Sequence, residues 1–505
     1  MSSPTVNTRL GLIAGIEKDG VQQFRGIPFA APLKGLGRIR APEPVSAWHG
    51  VLDATSWAPA APQDEISFMP VGETGEACLA LNIWRPLHQA TPLPVMVWIH
   101  GGGFTAGASS QSLYDGSALA RENGVIIVSI NYRLGILGFA EWSEWPELDG
   151  VSNAGLRDQI LALQWVRDHI ADFGGDPAAV TLFGESAGGM SIACLMASPL
   201  AQGLFARAII QSGSPDHVVT RSEAARITRL FAEAAGGGPA SCLMGDLKGI
   251  VRVQRSCFKT TVNRGLHASP VAQFGMTLLP LIGDDVLPEH PLTAMSNGAS
   301  AHIPLMLGTT MDEWTLFYLS PQSMGQSRPR EEPDDERLTH EFERTLPGRG
   351  AMMMSRYREA MPEVSSSELF CAYETDRMFR MPTIRLAEAR FSHIAPTWQY
   401  LFDWPCAFNR RLKSCHVMEV PFVFGVTDKP AGQFFTGGGE EAEQLSRQVR
   451  QAWSSFANGK APMAEGWPEW PVYKPNHRAV LHMAAASNVQ IDPQSERRLL
   501  WDEVL

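Results

Sequence analysis

The sequence predicts an α/β fold built on a central, mostly parallel sheet with flanking helices. Three observations carry that expectation. Strand and helix signals alternate between residues 94 and 196, the order that lays helices on the faces of a parallel sheet. The strand signals are short, rich in Val and Ile, and apolar at consecutive positions, as strands buried on both faces are. Each is bounded by Pro, Gly or Asn, the residues that punctuate strands.

In chain order, Pro94–His100 (PVMVWIH) and Gly124–Ile130 (GVIIVSI) read as buried strands. Residues 155–171 carry Leu156, Ile160, Leu163 and Ile170 at helical spacing, and stop before the turn FGGDP at Phe173–Pro177. Ala179–Phe183 (AVTLF) is the next strand; a tight turn and a Gly/Ala-rich helix through Met196 follow it. Ile303–Gly308 and Trp398–Phe402 read as further strands. The stretch from Pro321 to Ser367 is different in kind. Its charge run, Arg328–Arg337, reads as a solvated loop, and the helical text with Met352–Met354 reads as a helical core. Together they predict a helical cap over 321–367. No internal repeat and no long linker divides the chain, so residues 1–505 are expected to form one domain.

Composition narrows the chemistry. A hydrophobic content of 44% with 19% charged residues is that of a globular protein rather than a disordered one. A formal charge of −11 removes the electrostatic footprint of a nucleic-acid binder. The apolar runs are strand-length and fall short of the ~20 residues a membrane span needs. The N-terminus lacks the charged and apolar regions of a secretory signal. The seven cysteines form no CxxC pair and no HExxH occurs, so no metal site is expected. The expected placement is a reducing cytoplasm.

Gly184–Gly188 (GESAG) is a GxSxG motif between a strand signal and a helix signal. That setting is the one an exposed nucleophilic serine requires: glycines permit the strained turn, and the helix N-terminus favours developing negative charge. His100–Phe104 (HGGGF) directly follows another strand signal. Three consecutive glycines are costly unless backbone must approach something closely, and N–H donors for an oxyanion are such a need. A rival reading takes Gly101, Gly103 and Ala106 as a dinucleotide fingerprint. It requires an acid at the end of the next strand, where Asn131 and Tyr132 stand. A serine hydrolase then needs an acid and a histidine, in the order Ser, acid, His. His416, in Lys413–Glu419 (KSCHVME), follows one strand signal, and Asp312 and Glu313 follow another; from chemistry alone either acid could serve.

The motifs taken together resemble the type-B carboxylesterase/cholinesterase family of the α/β-hydrolase fold, and most of all its bacterial para-nitrobenzyl esterase-like branch. Phe24–Ala30 (FRGIPFA), Cys78–Asn82 (CLALN), Asn131–Phe139 (NYRLGILGF), Gly184–Gly189 (GESAGG) and Gln211–Ser214 (QSGS) carry the likeness along the chain. The resemblance implies a serine carboxylesterase with Ser186 as nucleophile, Glu313 as acid and His416 as general base. It also implies an oxyanion hole at Gly102, Gly103 and Ala187, with Glu185, Ser212 and Glu419 standing behind the histidine. It implies buried ion pairs of Arg38 with Glu76 and of Arg133 with Asp176. It requires no cofactor, only a small-molecule ester substrate, and is compatible with a monomer. Lipase, amidase or carbamate hydrolysis fits the same triad, whereas an adhesion-type member would lack the nucleophile. Because the base must be neutral, activity is expected to fall below roughly pH 6–7.

Several positions depart from the family pattern. Ala61 stands where a partner for Cys78 is expected, and Ala234–Gly238 contains no partner for Cys242, so neither family disulfide is expected. Trp314 replaces the glycine after the acid. The loop before Cys78 shows no match to the cholinesterases' aromatic cation site, which argues against acetylcholine as substrate. Phe104, Trp314, Leu316 and Phe317 are candidate lining residues by their nearness to the motifs.

Overall fold

A computed structural model describes residues 3–64, 70–87, 92–236, 238–263, 276–319 and 332–504. Eleven strands form the main sheet: β1 Ile16–Lys18, β2 Val21–Pro28, β3 Ala80–Pro86, β4 Leu93–Ile99, β5 Ile126–Ile130, β6 Gly175–Glu185, β7 Arg207–Gln211, β8 Leu305–Thr310, β9 Thr397–Phe402, β10 Ala479–Met483 and β11 Asn488–Ile491. Their spatial order is β11-β10-β9-β8-β7-β6-β4-β5-β3-β2-β1. The seven strands from β10 to β5 run parallel, and the pairings at both flanks are antiparallel.

The alternation of side chains along a strand explains the continuous apolar text. On β4, Val95, Val97 and Ile99 enter one core layer, while Met96 and Trp98 enter the layer on the opposite face. Helix α1 (Ala154–His169) covers the first face through Leu156, Ile160 and Leu163. The long helix Glu440–Ala457 covers the second through Leu445, Val449 and Trp453. Both layers are buried, so the strand interiors are mostly apolar, and polar exceptions such as Asn82 and Ser129 bond each other.

The strands and helices expected from the sequence are present, with boundary shifts of a few residues. The expected turn at Phe173–Pro177 is the exception: β6 already begins at Gly175, where it pairs with Leu93 before a register shift. In the expected cap, α-helices span Asp335–Thr345 and Gly350–Ala360. Met353 is buried and Met354 packs on the core, while Met352 faces solvent. Residues 320–331, including the first part of the charge run, lie outside the described residues.

The functional motifs share one edge. Glu185, the HGGG segment after Ile99, Asp312-Glu313 after Thr310, and the loop after Phe402 all leave the carboxyl ends of neighbouring parallel strands. Ligands of open α/β sheets bind at that edge.

Candidate active site

The turn at Ser186 is strained and firmly held. β6 ends at Glu185 and helix α2 (Ala187–Ala197) begins one residue after Ser186. Ser186 sits alone between them at φ 55°, ψ −125°, a region costing a non-glycine residue about 1–3 kcal/mol. Its N–H donates to the Gln211 carbonyl at 2.9 Å, and its own carbonyl accepts the Met190 N–H at 2.8 Å. Gly188 makes the turn possible, because any side chain there would overlap the Ile99 carbonyl oxygen. The first turn of α2 therefore rests directly on the end of β4. That contact delivers the HGGG segment to the serine: a Cβ on Gly101 would stand 3.0 Å from the Ser186 Cβ.

The glycine segment turns its amides outward. Gly102 has φ 112° and Gly103 φ 60°, and the Gly102 carbonyl accepts N–H bonds from Thr105 at 3.1 Å and Ala106 at 3.0 Å. The N–H groups of Gly102, Gly103 and Ala187 donate to no other protein group among the described residues. Ala187 is buried, where an unpaired backbone donor is rare, and the more open amides of Gly102 and Gly103 stand with it beside one serine, an arrangement able to receive an anion.

The acid and the histidine meet beside this turn. Glu313 accepts the Thr310 N–H at 2.8 Å through Oε1, and its Oε2 lies 2.5 Å from His416 Nδ1. Asp312 is used otherwise: its carboxylate accepts the Ser414 N–H at 3.3 Å and its own N–H donates to the Ser414 carbonyl at 2.9 Å. Asp312 thus latches the histidine loop to the acid loop, and Glu313 is the carboxylate that faces the imidazole.

The other imidazole nitrogen, Nε2, lies 3.0 Å from Glu185 Oε1 and makes no hydrogen bond to the Ser186 hydroxyl in this structure. Glu185 and Glu419 are both buried. The Gln211 amide and the Tyr400 hydroxyl stand beside Glu419. Ser212, at φ 48°, donates its N–H to Gly308 at 2.8 Å, and its buried hydroxyl has no hydrogen-bond partner among the described residues. Burial pulls the His416 pKa down, but the carboxylates of Glu185, Glu313 and Glu419 more than reverse this and hold it up at about 9. Burial, with neighbouring carboxylates, pushes Glu185 and Glu419 above the ordinary glutamate range. One imidazole among three carboxylates titrates as a unit.

Aromatic rings hold the imidazole. The rings of Phe317 and Phe379 lie 5.0 and 4.9 Å from that of His416. Phe379 belongs to a π-helical turn, Asp376–Arg380, a local widening common at functional sites. Arg380 ties that turn to the acid loop by donating to the Met311 carbonyl at 2.7 Å. Of the candidate lining residues, only Phe317 reaches the histidine. Phe104 packs on Phe139, Trp314 contacts Phe317, and Leu316 enters the second core layer. Phe379 was invisible in the sequence because nothing near it resembles a site motif.

One expected ion pair is corrected. Arg133 pairs with Asp158, not Asp176, at 2.6 Å with both side chains buried. Asp158 rides on the buried face of α1, whereas the Asp176 carboxylate accepts the Ala178 N–H at an exposed turn. Arg38 does bond Glu76. All seven cysteines are free thiols. A cavity of about 280 Å³ borders Asp312, Glu368, Lys413 and Arg497, but neither Ser186 nor His416 lines it.

A parallel sheet with a strained serine turn, a glycine-rich segment and a Glu–His pair at its carboxyl edge is the architecture of an α/β-hydrolase. The chain belongs to the Carboxylesterase family, whose profile matches residues 2–501, and it is a carboxylic ester hydrolase. It is 37% identical to para-nitrobenzyl esterase of Bacillus subtilis, over 99% of this chain and 98% of that one. It is 35% identical to cocaine esterase of Oryctolagus cuniculus, over 100% and 96% of the two chains. A solved carboxylesterase of Geobacillus stearothermophilus superposes with a TM-score of 0.86 at 33% identity, over 98% of this chain and 99% of that one.

Proposed function

We propose that the protein hydrolyses carboxylic esters by two-step acyl transfer at Ser186, with His416 as general base and Glu313 as its acid. The observation that carries this reading is the 2.5 Å contact of Glu313 with His416 beside a strained serine turn and three unpaired amides. Substrate binding tightens catalytic hydrogen bonds, and the mechanism requires His416 Nε2 to exchange Glu185 for the Ser186 hydroxyl at that point. Ser186 then attacks the ester carbonyl as His416 takes its proton. Glu313 holds the tautomer and balances the imidazolium. The N–H groups of Gly102, Gly103 and Ala187 receive the oxyanion. His416 protonates the leaving alcohol, then activates water to release the acid.

No step calls for a metal or cofactor. We read residues 1–505 as one catalytic unit and place it in the cytoplasm, a reading supported by seven free thiols and by the absence, among the described residues, of a helix long and apolar enough to cross a membrane. Small esters with an aryl or alkyl alcohol are the substrate class, in keeping with the relative named for para-nitrobenzyl esters. The test is steady-state hydrolysis of p-nitrophenyl butyrate by Ser186→Ala. The expected loss in kcat is about 10⁴-fold or more with the fold intact by circular dichroism. A variant retaining a tenth of the wild-type rate overturns the assignment.

A further inference from the structure

One buried polar side chain near the site has no protein partner and no part in the steps above. His217 follows the QSGS segment at the end of β7, the strand beside the nucleophile strand. Gly213, four residues earlier, packs on Gly189 in the first turn of α2. The His217 ring stacks on Phe379 with centroids 6.1 Å apart, and Phe379 in turn lies 4.9 Å from His416. The two imidazoles are close enough for each to affect the other's charge.

The backbone around His217 is fixed on both sides. The Asp216 N–H donates to the Ser214 hydroxyl at 3.0 Å, and the Asp216 carboxylate faces Arg385 at 3.5 Å and His290 at 3.7 Å. Two residues on, the Val219 N–H donates to the Pro280 carbonyl at 3.0 Å. Yet the imidazole is 1% exposed and neither ring nitrogen has a hydrogen-bond partner among the described residues. Burial and the nearby cations of Arg377 and His416 hold it neutral, with its pKa lowered to about 3. A neutral ring offers one N–H donor and one lone pair. Leaving both unused in a buried position is unfavourable, so a ring held this firmly, one aromatic ring away from His416, is suited to a group that arrives with the substrate.

We propose that His217 is a specificity residue that donates its ring N–H to an acceptor oxygen, of the ether, carbonyl or hydroxyl class, carried by the substrate outside the scissile ester. The inference rests on the reading of Ser186 and His416 as the reacting pair. It makes the esterase selective for esters with a polar substituent over their alkyl isosteres.

The test compares isosteric substrates in two arms. The acyl arm uses p-nitrophenyl methoxyacetate against p-nitrophenyl butyrate; the alcohol arm uses 2-methoxyethyl benzoate against butyl benzoate. Each kcat/KM ratio is measured for the wild type, His217→Phe and His217→Gln. Because both substrates meet the same enzyme sample, the ratio is independent of how much of a variant folds. In one arm the ether/alkyl ratio is expected to fall about tenfold in His217→Phe, which keeps the stack on Phe379 but loses the donor. In His217→Gln, which restores an N–H, at least half of that fall should be recovered. Ratios within twofold of wild type in both arms overturn the proposal, as does a fall that His217→Gln fails to reverse. Ser186→Ala, run alongside, separates the two readings: hydrolysis at a tenth of the wild-type rate or more there refutes the site itself, whereas a Ser186→Ala loss of the expected size with unchanged ratios refutes only the role of His217.

Discussion

Glu185 is the carboxylate nearest the working nitrogen of His416, and removing its charge has a calculable consequence. Its Oε1 lies 3.0 Å from Nε2, both groups being buried. At an effective dielectric of about 20, unit charges at that distance interact by about 5 kcal/mol. This corresponds to about four pK units on the histidine if Glu185 is fully ionised. It is not ionised throughout, because burial and the charges of Glu419 and Glu313 raise its own pKa. It therefore holds a proton over part of the working range, and only a fraction of the interaction reaches the imidazole. The direction is fixed all the same. A carboxylate stabilises imidazolium, so it raises the His416 pKa, and the neutral base appears only at higher pH. Glu185→Gln keeps the shape and removes the charge. The acidic limb of the kcat/KM profile for p-nitrophenyl butyrate, measured between about pH 5 and 10 at constant ionic strength, should move down by about one unit or more. A limb that stays in place, or moves up, refutes the claim that Glu185 acts on His416 through its charge.

Three further outcomes are expected. Glu313→Gln removes the partner of Nδ1 and should lower kcat/KM by about 10³–10⁴-fold in a pre-steady-state or steady-state ester assay, with little change in melting temperature. Gly188→Ala forces a methyl group into the Ile99 carbonyl; it should destabilise the protein by about 3 kcal/mol or more, read as a lowered denaturation midpoint, or leave no soluble protein. Asp158→Asn strips the buried Arg133 guanidinium of its counter-charge and should cost about 3–5 kcal/mol in urea unfolding.

Much of the fold was legible because its determinants are local. β4, β5 and β6 announce themselves as apolar runs, since a strand buried on both faces has no polar alternation to hide it. The strained turn at Ser186 and the glycine-rich HGGG segment were legible for a similar reason: strain and close approach demand glycine at fixed offsets, and Gly102 and Gly188 meet that demand. What depends on packing between distant segments was not legible. The family resemblance pairs Arg133 with Asp176, but the structure pairs it with Asp158, because only packing sets which face of α1 meets Arg133. Residue chemistry alone leaves Asp312 and Glu313 both open and the family resemblance points to Glu313; that Asp312 bonds Ser414 while Glu313 meets His416 depends on how two distant loops pack. Phe317 is flagged by its nearness to the acid motif, but its pairing with Phe379 around His416 and the stacking of His217 on Phe379 arise where separate segments converge. The upward pull on the His416 pKa was likewise not legible, because the crowding of Glu185, Glu313 and Glu419 around it is a property of the assembled site.

The central claim is that Ser186 carries the acyl group. Brief treatment with diethyl p-nitrophenyl phosphate, followed by intact-mass measurement and peptide mapping, tests it most directly. One diethylphosphoryl adduct per chain is expected, located on Ser186 and formed in step with the loss of ester hydrolysis. An adduct on another residue with activity lost, or full activity after stoichiometric labelling of Ser186, would contradict it.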